Sequence, residues 1–103
     1  MKLMKHVSLP IKIKEAHVTC HCAPLQIEMR TENGRPLYAR DRHGELTINY
    51  GKKGQSCWDI AAWGPDLWDL GVKYPGGGNL KDYQAFRERM SGVLDLPENA
   101  KGE

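Results

Sequence analysis

The feature that most constrains this chain is a change of period. Up to residue 50, apolar residues recur at every second position: Ile11 and Ile13 alternate with Lys12 and Lys14, and Ala16, Val18, Cys20 and Cys22 alternate with His17, Thr19 and His21. Leu25, Ile27 and Met29 likewise alternate with Gln26, Glu28 and Arg30. A spacing of two places each set on one face of an extended segment, so these read as half-buried strands, punctuated by Pro10 and Pro24. Beyond the GKKG stretch at 51–54 the spacing becomes helical. Strands first and helices afterwards predict an α+β fold.

The turns refine this. In TENGRP, a two-residue Asn33-Gly34 loop would set Ile27 opposite Arg40, a charge on the apolar face. A three-residue loop, Glu32 to Gly34, with Gly34 left-handed, pairs Met29 with Leu37 and Ile27 with Ala39, and this register is the expected one. DRHG at 41–44 reads as a type I turn setting Ala39 against Leu46 and Leu37 against Ile48. The expected sheet is an antiparallel meander of four to five strands over about residues 3–50.

Ser56 with Asp59 forms a capping-box-like start for a short helix over 57–63, stopped by Gly64-Pro65. DLWDLGVKY suggests one further helical turn ending at Gly71. Asn79 and Asp82 cap a helix expected over 80–95, with Leu80, Tyr83, Phe86, Met90, Val93 and Leu94 as its apolar stripe. Both helices are expected on one face of the sheet, giving one domain over residues 1–97 and a flexible tail over 98–103.

A length of 103 residues suits one core, and 40% hydrophobic content marks a folded chain rather than a disordered one. No apolar run approaches a membrane span, and Lys, His and Pro interrupt the first fourteen residues too often for a secretory signal. A cytoplasmic protein with no membrane contact is therefore expected, with its three cysteines reduced. Residues 1–54 carry ten Lys or Arg against five acids, and 55–103 carry five against eight, so the halves are +5 and −3. Such asymmetry suits either a polyanion-facing side or two faces that attract each other.

The chemistry-bearing clusters are weak. Cys20 and Cys22 on a straight strand, pointing with Ala16 and Val18, make a poor chelate, and strand residues four apart, such as His17 and His21, stand about 13 Å apart. Only a tetrad of Cys20, Cys22, Cys57 and a histidine retains zinc-like geometry, and no metal is expected. YPGGGNLK at 74–81 lacks both the P-loop and the dinucleotide fingerprint, so it reads as a connector. Glu45 beside His43, and Asp66 with Asp69, read as turn and cap residues rather than an acid and base pair.

GQSCW at 54–58 resembles the Gly-x-Ser-Cys-Trp stretch around the nucleophile of papain-like cysteine proteases. The resemblance implies a Cys57 thiolate served by a histidine downstream, but His6, His17, His21 and His43 all precede Cys57. The match covers five residues. A hydrolase centred on Cys57 is the second alternative, and the chain is expected to be no enzyme and to hold no cofactor.

The aromatic segment is the best lead. Trp58, Trp63 and Trp68 recur every five residues, a step of about 140° net on a helix, so they cannot all be buried on one face. Trp63, Trp68 and Tyr74 are accordingly the expected contact residues of a protein-binding module. Such a module would act as an adaptor, subunit or inhibitor, of the kind a phage or mobile element uses as an accessory protein. The alternative is a nucleic-acid-binding sheet bearing Arg30, Arg35, Arg40, Arg42, Lys52 and Lys53 beside Tyr38 and Tyr50, without an RNP, KH or zinc-finger signature.

Overall fold

The computed structural model describes residues 8–21 and 25–103. The two alternations at the start of the chain, Ile11/Ile13 and Ala16/Val18, are out of phase with each other, yet both belong to one strand, β1 (Ile11–Cys20). Pairing with β2 (Leu25–Thr31) shifts between Ile13 and Glu15, and this bulge brings both sets to the same buried face. A second shift between Val18 and Cys20 sets Cys20 opposite Gln26, on the face away from Val18. Cys20 is half-buried there, which corrects the expectation that its thiol points inward with Ala16 and Val18.

β3 (Pro36–Arg42) follows β2 in the expected register, Met29 opposite Leu37 and Ile27 opposite Ala39, with Gly34 at φ 84°. The next hairpin differs. β4 (Glu45–Tyr50) pairs Ala39 with Ile48 and Leu37 with Tyr50, two residues from the expected register. The cause is a two-residue turn in which His43 (φ 54°) and Gly44 (φ 75°) are both left-handed, where a type I turn was expected. A slip of two preserves the faces, so the buried set is unchanged.

The order is β4-β3-β2-β1-β5, in which β5 (Leu94–Asp95) runs parallel to the start of β1. The sheet is therefore mixed and the fold is α+β, but it is not a pure antiparallel meander. The part of the expected meander before residue 8 lies outside the described residues.

Two helices accompany the sheet, α1 (Cys57–Trp63) and α2 (Tyr83–Arg89). α2 is shorter than the expected 80–95 because Asn79 is left-handed (φ 65°) and Asp82, extended, is the cap, its carboxylate accepting from Ala85 N–H. Val93 and Leu94 reach the core through a turn onto β5 instead.

α2 contributes Tyr83, Phe86 and neighbouring Met90 to the main core, with the inward residues of all five strands. α1 lies against the other side. Its Ile60 sits against Pro36 and Gly51, and the carbonyl of Gly64 just beyond it accepts from the outward-facing Asn49. The helices thus flank the sheet rather than sharing a face.

The open side of β4 and the later half of β1 both carry partners. The outward N–H groups of β4, from Leu46, Ile48 and Tyr50, donate to Gly76 O, the Asp66 carboxylate and Pro65 O at 2.9–3.0 Å. At the far side, Val18 N–H donates to Lys101 O and Lys101 N–H to Ala16 O, while β5 covers Ile11. Within residues 98–103, Lys101 thus pairs with β1, and Glu103 accepts from Gln84 and Ala100.

Candidate binding groove between α1 and the sheet end

The groove begins with the Ser56 cap. The Ser56 hydroxyl accepts from Asp59 N–H at 3.1 Å while the Asp59 carboxylate takes Ser56 N–H at 3.1 Å, the capping box expected from the sequence. The same carboxylate takes the Ser56 hydroxyl at 2.9 Å, and these bonds hold Asp59 below the usual carboxylate range. The helix settles close to the sheet because Gly51 has no side chain: a Cβ there would lie 2.4 Å from Ile60 Cγ2 and 2.9 Å from Pro36 Cγ.

Cys57 and Ile60 are the buried residues of α1. The Cys57 thiol donates to Leu37 O at 3.3 Å and to Met29 O at 3.7 Å. Burial pushes its pKa up, so the environment disfavours the thiolate that a nucleophile needs. Cys57 therefore behaves as a packing residue donating to carbonyls. Cys22 and His6, members of other sequence patterns, lie outside the described residues, and among the described residues no cluster of three or more potential ligands surrounds an ion-sized space.

With its two small anchors turned inward, α1 leaves its indoles in water: Trp58 is 86% and Trp63 89% exposed. Beyond Gly64-Pro65 the chain crosses the β4 edge into a 3-10 turn, Leu67–Leu70, capped by Asp66. Trp68 is 48% exposed, 6.0 Å from the Tyr74 ring, with Lys73 Nζ 5.8 Å from its own ring centroid.

Tyr74 departs from expectation. It is only 5% exposed, and its hydroxyl donates to the Asp66 carboxylate at 2.7 Å while Ile48 N–H donates to it at 3.1 Å. Burial, reinforced by the adjacent carboxylate, drives its pKa well above the ordinary phenol value. Tyr74 therefore secures the β4 edge and has no surface to offer a partner, a correction to its place among the contact residues.

Trp63 borders a groove of about 570 Å³ whose lining includes Tyr50, Gly51, Pro65 and Leu70 with Arg35, Lys52, Gln55 and Asp59. Neither Trp68 nor Trp58 is part of it. Arg35 stacks 4.3 Å above the Tyr50 ring and donates Nε–H to Gly51 O at 2.8 Å, a fixed guanidinium at the groove wall. Arg35 is a diagonal neighbour of Tyr50 in the observed β3–β4 register, in which Leu37 pairs with Tyr50, and the expected register likewise sets the two side by side.

The basic residues do not form one stripe. Arg30 donates to Gly34 O at 2.9 Å and to Gln55 O at 3.4 Å, bracing the loop before α1. Arg35, Lys52 and Lys53 lie toward the groove end of the sheet, whereas Arg40 and Arg42 line a separate hollow of about 220 Å³ with His43, Glu45 and Thr47. Among the described residues no helix is long and apolar enough to cross a membrane. In comparisons with protein-family models, curated proteins and solved structures, nothing matches the chain.

Proposed function

We propose that this chain is a small protein-binding module, an adaptor, subunit or inhibitor, that holds its partner through the aromatic surface centred on Trp63. The observation that carries this reading is an indole 89% exposed at the border of a 570 Å³ groove, on a helix whose packing does not use it. Large exposed aromatic side chains beside concave surface are the usual anchors of protein interfaces. Leu70 lines the groove beside Trp63, and Trp58 and Trp68 are further exposed indoles outside it.

The β4 edge supports the same reading by its occupancy. A partner strand adding to β4 would find Leu46, Ile48 and Tyr50 N–H already bonded, so recognition falls to side chains. The nucleic-acid alternative draws less support, because Arg30 is engaged with backbone carbonyls and Arg40 and Arg42 stand apart from Arg35 and Lys52.

The test is a quantitative pull-down comparing the wild-type chain with Trp63→Ala, both checked for folding by circular dichroism. A specific protein retained by the wild type should bind the variant about thirtyfold more weakly, the scale of an anchor truncation of about 2 kcal/mol. Equal retention of every partner by both forms refutes the reading. Salt-sensitive capture of polynucleotide by both forms, with no protein partner, would favour the basic surface instead.

A further inference from the structure

The groove has two unlike walls. Trp63, Pro65 and Leu70 supply apolar surface, and Arg35 with Lys52 supplies positive charge. The remaining acid, Asp59, directs its carboxylate to the Ser56 N–H and hydroxyl, so it is committed to the helix cap. Arg35 differs from an ordinary surface arginine in being held in place. Its Nε–H is bonded to Gly51 O and its plane lies over Tyr50, while its terminal amino groups make no hydrogen bond among the described residues.

A guanidinium fixed by its Nε and its face, with its terminal N–H groups unspent, is arranged for a planar two-oxygen acceptor, and little entropy remains to be lost when that acceptor arrives. The adjoining apolar wall asks for a hydrocarbon side chain close by. A volume of about 570 Å³ lies within the range of ~300–1,000 Å³ that ligand sites span. Building on the protein-binding reading, we infer that the groove receives a short segment of a partner protein in which a large apolar side chain, seated beside Trp63 and Leu70, is accompanied by an Asp or Glu whose carboxylate is clasped by Arg35. Lys52 contributes positive charge from the rim and draws acidic segments toward the site.

The probe is a displayed library of random linear dodecapeptides, panned on the full chain at low salt. Selected peptides should carry an acid within two positions of Leu, Phe or Trp. A synthetic copy of the best peptide should bind about tenfold or more weakly when its acid is changed to the amide, the scale of one charge-assisted hydrogen bond. Arg35→Gln should weaken the acidic peptide to the level of the amide peptide and leave the amide peptide unaffected. The change on the peptide side needs no folded variant, so the comparison stands even if Arg35→Gln disturbs Gly51.

Equal affinity for the acid and amide peptides overturns the inference. If Trp63→Ala still abolishes that binding, only the acidic character of the partner is lost; if Trp63→Ala is also without effect, the protein-binding reading of the groove falls with it. Failure to select any peptide, or displacement of every peptide by a single-stranded oligonucleotide, likewise overturns the inference.

Discussion

α1 and α2 are each seven residues long, yet they use their aromatic side chains in opposite directions. α2 buries Tyr83 and Phe86 almost completely, beside Met90 in the main core. α1 is held by a thiol and one isoleucine, and both of its indoles stand in water. The difference arises at the surface each helix meets. α2 covers the broad apolar side of the sheet, which large rings fill, whereas α1 rests on a polar side where Gly51 and Pro36 leave room only for a small, close contact. Aromatic residues in α2 are thus a packing resource, and in α1 they are a surface.

The sharpest way to break this contrast is through α2. Phe86→Ala should destabilise the fold by about 3–5 kcal/mol, measured by urea denaturation, because the ring is fully enclosed. Tyr83 makes a pH test of the same helix. Its hydroxyl donates to Pro97 O, and its pKa is pushed up to about 12, by burial first, with Glu103 adding and Arg87 opposing. The folded value lies above the unfolded 10, so the contribution is complete below about pH 10 and drains away as pH rises toward 12. Denaturation midpoints should fall across that window, with the Tyr83 share on the order of 2 kcal/mol and absent in Tyr83→Phe.

α1 should respond more gently. Ser56→Ala removes the cap and should cost about 1 kcal/mol by the same measurement. Trp58→Ala and Trp63→Ala should each change stability by less than about 0.5 kcal/mol. A loss of 2 kcal/mol or more from either would mean that the indoles serve packing after all, and the contrast with α2 would dissolve.

Much of the fold is written locally and could be read. Gly34 is needed left-handed, and that fixed β2 against β3; Ser56 and Asp59 marked the start of α1. What escaped depends on longer-range or rarer geometry. His43 adopts a left-handed conformation that few non-glycine residues take, so the β3–β4 register was displaced by two. The Val18–Cys20 bulge turned a thiol to the other face, and β5 is only two residues long, stabilised by a partner more than eighty positions away. At the site, the five-residue spacing of tryptophan exposed Trp63 to view. The groove beside it was hidden because its walls come from α1, the 64–70 connection and the end of the sheet, which only the tertiary fold brings together. The burial of Tyr74 is not legible locally, because the partner for its hydroxyl, Asp66, lies in another turn of the same connection.

The occupied edge of β4 carries a consequence for the chain in concentrated solution. Strand-by-strand growth into fibrils starts from a row of open amide groups, and on β4 Gly76, Asp66 and Pro65 already fill that row, as Lys101 does at the end of β1. Concentrated solutions should therefore find no open ladder along β4, and thioflavin fluorescence of the chain at millimolar levels should stay at baseline.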